Sequence, residues 1–171
     1  IKLEMYRGDS FQVVVDKPEH ALAIAIALRA KLKAETPDEQ KLWDARLAVG
    51  VGEISFESDN IVTSDGEAFR LSGHSFDHIG KKRLSISTPW PDFNSNIELV
   101  TRFADDLITS WTAKQARVVY QSMLFPKLQK DLAEELDMTR QNFNYHWSSA
   151  RGQLILDYIE YFKSLISKYI R

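Results

Sequence analysis

The stretch Lys127–Arg151, KLQKDLAEELDMTRQNFNYHWSSAR, reads as two short helices joined by a tight turn. Leu128, Leu132, Ala133 and Leu136 recur at i, i+4, i+5 and i+8, which places them on one face of a helix over Leu128–Leu136. Ala133 is small where a second helix must cross closely. Asp137-Met138 supplies the turn, and Thr139 is a good N-cap for a helix opening Arg140-Gln141-Asn142. On that second helix Phe143, Trp147 and Ala150 are expected to face a core. Arg140, Gln141, Asn142, Asn144, Tyr145 and Ser148 are expected to face outward.

Those outward groups carry recognition chemistry. Arg can bond bidentately to guanine, and Gln or Asn to adenine, in the major groove. The spacing Gln129-x-x-Leu132-Ala133-x-x-Leu136 followed by Thr139-Arg140-Gln141 resembles helix-turn-helix regulators such as sigma-factor region 4. In such motifs the start of the second helix reads base edges while the first crosses the backbone. The resemblance implies a DNA-binding set of Lys127, Lys130, Thr139, Arg140, Gln141, Asn142, Asn144, Tyr145 and Arg151. The plainer alternative is a helical hairpin with a solvated polar face. From Thr112 to Arg151 there are six Lys or Arg against four Asp or Glu, a small positive footprint for a DNA binder.

Working outward, Thr112 caps a preceding helix through Leu124, with Val118, Val119 and Leu124 as its core face, so the region reads as three helices. After it, Gln153–Ile170 carries a wide apolar stripe (Leu154, Ile155, Tyr158, Ile159, Phe162, Leu165, Ile166, Tyr169) that must be buried. It packs either within the chain or against its copy in a homodimer, the usual state of regulators that read two half-sites. Pro89-Trp90-Pro91-Asp92 marks a boundary, giving an α/β domain over 1–90 and a helical domain over 91–171.

Composition sets the class. The chain has 171 residues, 44% hydrophobic and 27% charged, with a net charge of −2, as in ordinary globular proteins. Without cysteine, disulfides, thiolate nucleophiles and cysteine-bound zinc are excluded, and a cytoplasmic home is the simplest expectation. No apolar run approaches the roughly 20 residues that span a bilayer, so no membrane association is expected.

In the first part, Ile1–Tyr6 and Ser10–Val15 read as strands of a hairpin around Arg7-Gly8-Asp9. A helix follows from Asp16-Lys17-Pro18-Glu19 to Lys33, with Asp16 as its cap and most of its length buried. Glu35–Leu42 is a charged loop, and Arg46–Ile54 a strand whose glycines permit close backbone approach. A loop over Asp59–Asp65, a helix beginning in Gly66–Gly73 and a closing strand Leu84–Ser87 complete an α/β sandwich.

The ordered set Gly8-Asp9-Ser10-Phe11, Gly50-Val51-Gly52-Glu53 and Gly66-Glu67-Ala68-Phe69-Arg70 resembles class III nucleotide cyclase domains, and more closely the SatD-type proteins. Those proteins join such a domain to a C-terminal helix-turn-helix. The resemblance implies an α+β fold, a ferredoxin-like sandwich followed by an all-α domain. The chain begins Ile1-Lys2-Leu3, inside a strand, so the sandwich's first strand is expected to precede it. Asp9 matches the family's hairpin metal carboxylate, and the second carboxylate would lie before Ile1. Arg70 and His74 fall where the family orients the ribose and stabilises the transition state, and Met5 and Thr63 at its purine-reading positions. These departures argue against ordinary cyclase catalysis and leave a degenerate sensory or scaffold domain. The alternative is a divalent-metal-dependent nucleotide enzyme.

Short of catalysis, Asp9 with Glu53 offers hard oxygens for Mg²⁺, although Asp9 equally suits a turn by bonding its own backbone. Arg7, Arg70 and His74 are candidates to cradle a nucleotide or another phosphate-containing effector. Arg70 and His74 lie one helical turn apart. His74 and His78 have zinc-binding spacing but no third ligand. No G-x-S-x-G elbow or phosphate loop is present. Lys81-Lys82-Arg83 reads as a solvated loop, with phosphate affinity as its functional alternative. A protein-interaction module is the remaining reading of the helical hairpin.

Overall fold

A computed structural model describes residues 1–6, 8–37, 41–56, 65–125 and 127–170. The chain is mixed α+β, with its strands in the first half and helices throughout. Strands β1 (Lys2–Tyr6) and β2 (Ser10–Val14) precede a 3₁₀ turn at Pro18–His20 and helix α1 (Ala21–Ala34). Then come β3 (Leu47–Gly50), β4 (Ile54–Phe56), β5 (Asp65–Gly66), α2 (Glu67–Asp77) and β6 (Leu84–Ser87). Five helices follow: α3 (Pro91–Ser110), α4 (Ala113–Leu124), α5 (Gln129–Glu135), α6 (Arg140–Ser149) and α7 (Gly152–Ile166).

Two compact units divide the chain, and neither is continuous in sequence. One gathers Ile1–Leu22, Arg46–Arg102 and Phe162–Arg171; the other gathers Ala23–Ala45 and Phe103–Tyr161. The boundary drawn from sequence at 90/91 marks the start of α3, whereas the units part within helices α1, α3 and α7.

In the first unit the strands pair two by two. β1 and β2 form the expected antiparallel hairpin, with Leu3 opposite Val13 and Met5 opposite Phe11 on its apolar face. Gly8 has φ +78°, a turn conformation that glycine adopts without penalty. β3 runs parallel to β6 with Leu47 opposite Leu84, and β4 pairs antiparallel with β5. The expected single strand over Arg46–Ile54 is broken, because α2 lies against its glycines. A Cβ on Gly50 would stand 2.2 Å from the Ala68 carbonyl oxygen, and one on Gly52 3.1 Å from the Ala68 nitrogen. The chain leaves the β3–β6 ladder there, and Glu53 accepts a hydrogen bond from the Ala68 N–H instead. Asp16 is not a helix cap either. Lys17 holds that position, and the Asp16 carboxylate pairs with the Ile1 amino group at 3.1 Å. Phe93 closes the far side, edge-on to Phe162 and Tyr169.

The second unit is organised by buried charge. Arg29 on α1 is fully buried and meets Asp44 through Nε and NH2 at 2.9 and 2.8 Å. Its NH1 donates to Asp105 at 2.6 Å, and NH2 also donates to the Thr109 hydroxyl at 2.9 Å. One turn on, Lys33 donates to the Thr109 carbonyl at 3.0 Å, at the C-terminal end of α3, where cations are favoured. Two cations thus share two carboxylates, and no described buried side-chain polar atom lacks a partner. That is the condition under which buried charge is tolerated.

Candidate nucleic-acid interface

Helices α4, α5 and α6 form a three-helix cluster in the second unit. Its core is Val118 from α4, Leu132 and Ala133 from α5, and Phe143 from α6, with Leu136, Met138 and Trp147 packed against them. Thr112 opens α4 with a reciprocal capping box. Its hydroxyl accepts from the Gln115 N–H at 3.3 Å, and its own N–H donates to Gln115 Oε1 at 2.9 Å. The Trp111 indole donates to the Ala150 carbonyl at 2.9 Å, tying the start of α4 to the end of α6.

The turn between α5 and α6 is more built than its sequence suggests. Asp137 adopts φ +52°. Its N–H bonds the Glu134 carbonyl at 3.1 Å, while the Met138 N–H reaches back to Ala133 at 2.9 Å. This is a Schellman ending made with Asp rather than Gly, and Met138 supplies the accompanying apolar contact. Thr139 then caps α6 by accepting from the Asn142 N–H at 3.1 Å. Arg151 ends α6 at φ +56°, and Gly152 has no Cβ because one would lie 2.3 Å from the Trp147 ring.

Phe143 and Ala150 are buried as expected, and Trp147 is partly buried. Leu128, expected on the apolar face of a helix over Leu128–Leu136, is instead the extended N-cap residue before α5 and is 74% exposed. Thr139, Arg140, Gln141, Asn142 and Tyr145 are exposed on the first turns of α6, while Asn144 is half-buried on its flank rather than outward. Lys127, Lys130 and Arg151 are also exposed, but Lys127 is paired with Glu135. Hydrogen bonds from Lys127 and Gln121 hold the Glu135 carboxyl below its ordinary range. Burial, with Lys114 nearby, lowers the His146 pKa below its ordinary value. Lys114, a cation of the first turn of α4 beside α6, was not singled out by the sequence pattern.

The described cyclase-like positions lie on different elements. Arg7 and Thr63 lie outside them. Asp9 stands exposed on the β1–β2 turn, and Glu53 lies exposed between β3 and β4, with no ladder joining those two sheets. Arg70 and His74 are exposed on α2 one turn apart, and His74 stacks on His78 with ring centroids 4.4 Å apart. Among the described residues no group of three or more His, Asp or Glu is placed to hold a metal ion. No helix among the described residues is long and apolar enough to cross a membrane. No protein family, curated protein or solved structure matches the chain.

Proposed function

We propose that the chain is a cytoplasmic DNA-binding regulator, in which α5 and α6 form a helix-turn-helix and residues 1–90 are a degenerate cyclase-like scaffold or sensory domain. The observation that carries this reading is the first half of α6. Phe143 is sunk in the core while Arg140, Gln141, Asn142 and Tyr145 stand exposed around it on a capped helix. Such a helix offers donors and acceptors suited to base edges, held by a rigid scaffold. For residues 1–90, the order of antiparallel hairpin, helix, strand, helix and parallel closing strand supports a ferredoxin-like sandwich of the SatD type.

Two half-sites call for a twofold dimer. Most of the apolar stripe of α7 (Ile155, Tyr158, Ile159, Phe162, Leu165 and Ile166) is covered by the chain itself, while Leu154 is 56% exposed. Duplexes selected from a random library, titrated by fluorescence anisotropy, test the reading. Arg140→Ala with Gln141→Ala is expected to lose about 1–3 kcal/mol per bidentate contact. Failure to enrich any sequence, or equal binding by the double variant, removes it.

The second reading is a protein-interaction module, and charge favours it. Between Lys127 and Arg151 four Lys or Arg are matched by four Asp or Glu, and Lys127 is already paired with Glu135. A flat dependence of log K on log salt in the same titration would point that way, since phosphate contacts give a steep one.

A further inference from the structure

The basic run Lys81-Lys82-Arg83 has no part in the proposed DNA reading, yet Lys82 borders a cleft of about 160 Å³ that lies wholly within the first unit. Leu84 of β6 and Thr101 of α3 are buried at it, and the rim is polar. On one side the hydroxyls of Ser75 (α2) and Ser85 (β6) bond each other at 2.8 Å. Two hydroxyls sharing one bond retain one O–H that can be given to a third group. Arg102 of α3 also lines the cleft, and neither it nor Lys82 has an ion-pair partner among the described residues. Glu98, one turn before Arg102, supplies the only carboxylate among the lining residues and is likewise unpaired. The start of α3 is fixed by Asn94, which accepts from the Thr88 N–H at 3.0 Å and donates to the Thr88 carbonyl at 2.8 Å.

We infer that this cleft binds the phosphate monoester of a small hydroxylated molecule. Two unpaired cations with a spare hydroxyl donor suit a dianionic headgroup, which carries about −1.5 to −2 charge at pH 7, better than a singly charged carboxylate. The Arg102 guanidinium presents a fork of N–H groups to the phosphate oxygens, and Lys82 adds a point charge. Glu98 is an acceptor only, so it selects a ligand whose organic part brings a hydroxyl to it. The volume holds a headgroup and a short stem. It is well below the roughly 300–1,000 Å³ of sites that enclose drug-sized ligands. Arg70 and His74 do not line the cleft, and the inference does not rest on the DNA reading.

The test is an NMR titration of the intact chain with glycerol 3-phosphate, inorganic phosphate and acetate. Saturable shifts at Ser75, Ser85 and Thr101 are expected with both phosphates, the ester binding more tightly and acetate at least tenfold more weakly. Lys82→Gln and Arg102→Gln each change an exposed residue and should each weaken phosphate binding about tenfold, the loss of one charge-assisted bond. Glu98→Gln should reduce the preference for the ester over free phosphate. Thermal transitions of the unliganded variants, expected to be unchanged, separate lost binding from lost fold. No saturable shift at tens of millimolar phosphate overturns the assignment. So does an unaltered affinity in the Lys82→Gln/Arg102→Gln double variant, shifts centred on Arg70 and His74 instead, or acetate binding as tightly as phosphate.

Discussion

Arg29 makes four hydrogen bonds from a fully buried guanidinium, and its two carboxylate partners are themselves nearly inaccessible. Removing one partner strands charge in a low-dielectric site, which costs far more than the pair is worth. Asp44→Ala is therefore expected to lower unfolding free energy by about 3–5 kcal/mol in a urea titration. Burial pushes the Asp44 carboxyl up, but the Arg29 hydrogen bonds and the Arg29 and Lys33 charges outweigh it and hold the pKa below its ordinary 3.8. A group depressed in the folded state stabilises above its unfolded pKa and ceases to do so as pH falls through the folded value. The urea midpoint should thus fall steeply below about pH 4, and Asp44→Asn, measured over the same range, should fall less steeply. Gly50 poses the opposite problem, one of space. Gly50→Ala places a methyl 2.2 Å from a backbone oxygen, so β3 or α2 must shift, at about 1–3 kcal/mol in the same assay.

Among the elements, local chemistry was readable wherever it is local. Thr112 and Thr139 cap α4 and α6 as their sequence contexts suggest, because a hydroxyl and an N–H three residues on need nothing else. Asp137 shows the limit. A turn was legible there, but its left-handed backbone was not, since glycine is the usual sign and aspartate is not. At φ +52° the strain falls on a side chain that only partly tolerates it. Asp137→Gly is expected to change stability little or raise it by up to about 1 kcal/mol, and Asp137→Val to lower it by about 1–2 kcal/mol. Equal melting of the two variants would show that the turn is not under that constraint. Leu128 and Asn144 fail for a different reason. Periodicity assigns a face to each residue but does not tell where a helix begins or where its neighbours end, so it could not show that Leu128 is the extended residue before α5. The outward set on α6 was legible because Phe143 and its apolar neighbours fix the opposite face.

Across the whole molecule, the division into units was the part least available from sequence. Two prolines and a change from strands to helices suggested a cut at residue 90, and both signals are real at the level of elements. Neither reports the contacts that gather Ala23–Ala45 with Phe103–Tyr161, whose sequence separation in the Arg29–Asp105 bond is 76 residues. Charged residues inside an Ala-rich, otherwise apolar helix were the available clue. Arg29 and Lys33 interrupt the buried run of α1, and a long charged side chain is almost never fully buried unless paired. The consequence can be measured on a fragment. Residues 91–171 retain α4–α6 and the Thr112 capping box but lose Arg29, Lys33 and Asp44. Asp105 then loses the Arg29 guanidinium, and the Thr109 carbonyl loses the Lys33 ammonium. Arg117 also loses the Ala34 carbonyl, to which it donates at 3.1 Å. The fragment is expected to keep helical circular dichroism while losing a sharp thermal transition. Adding a peptide of residues 21–46 should restore the transition in a concentration-dependent way, as any binder of the folded state does. The same peptide carrying Arg29→Ala should not. A fragment that melts cooperatively without the peptide would place the boundary at residue 90 and make the buried charge an accessory of α1 alone.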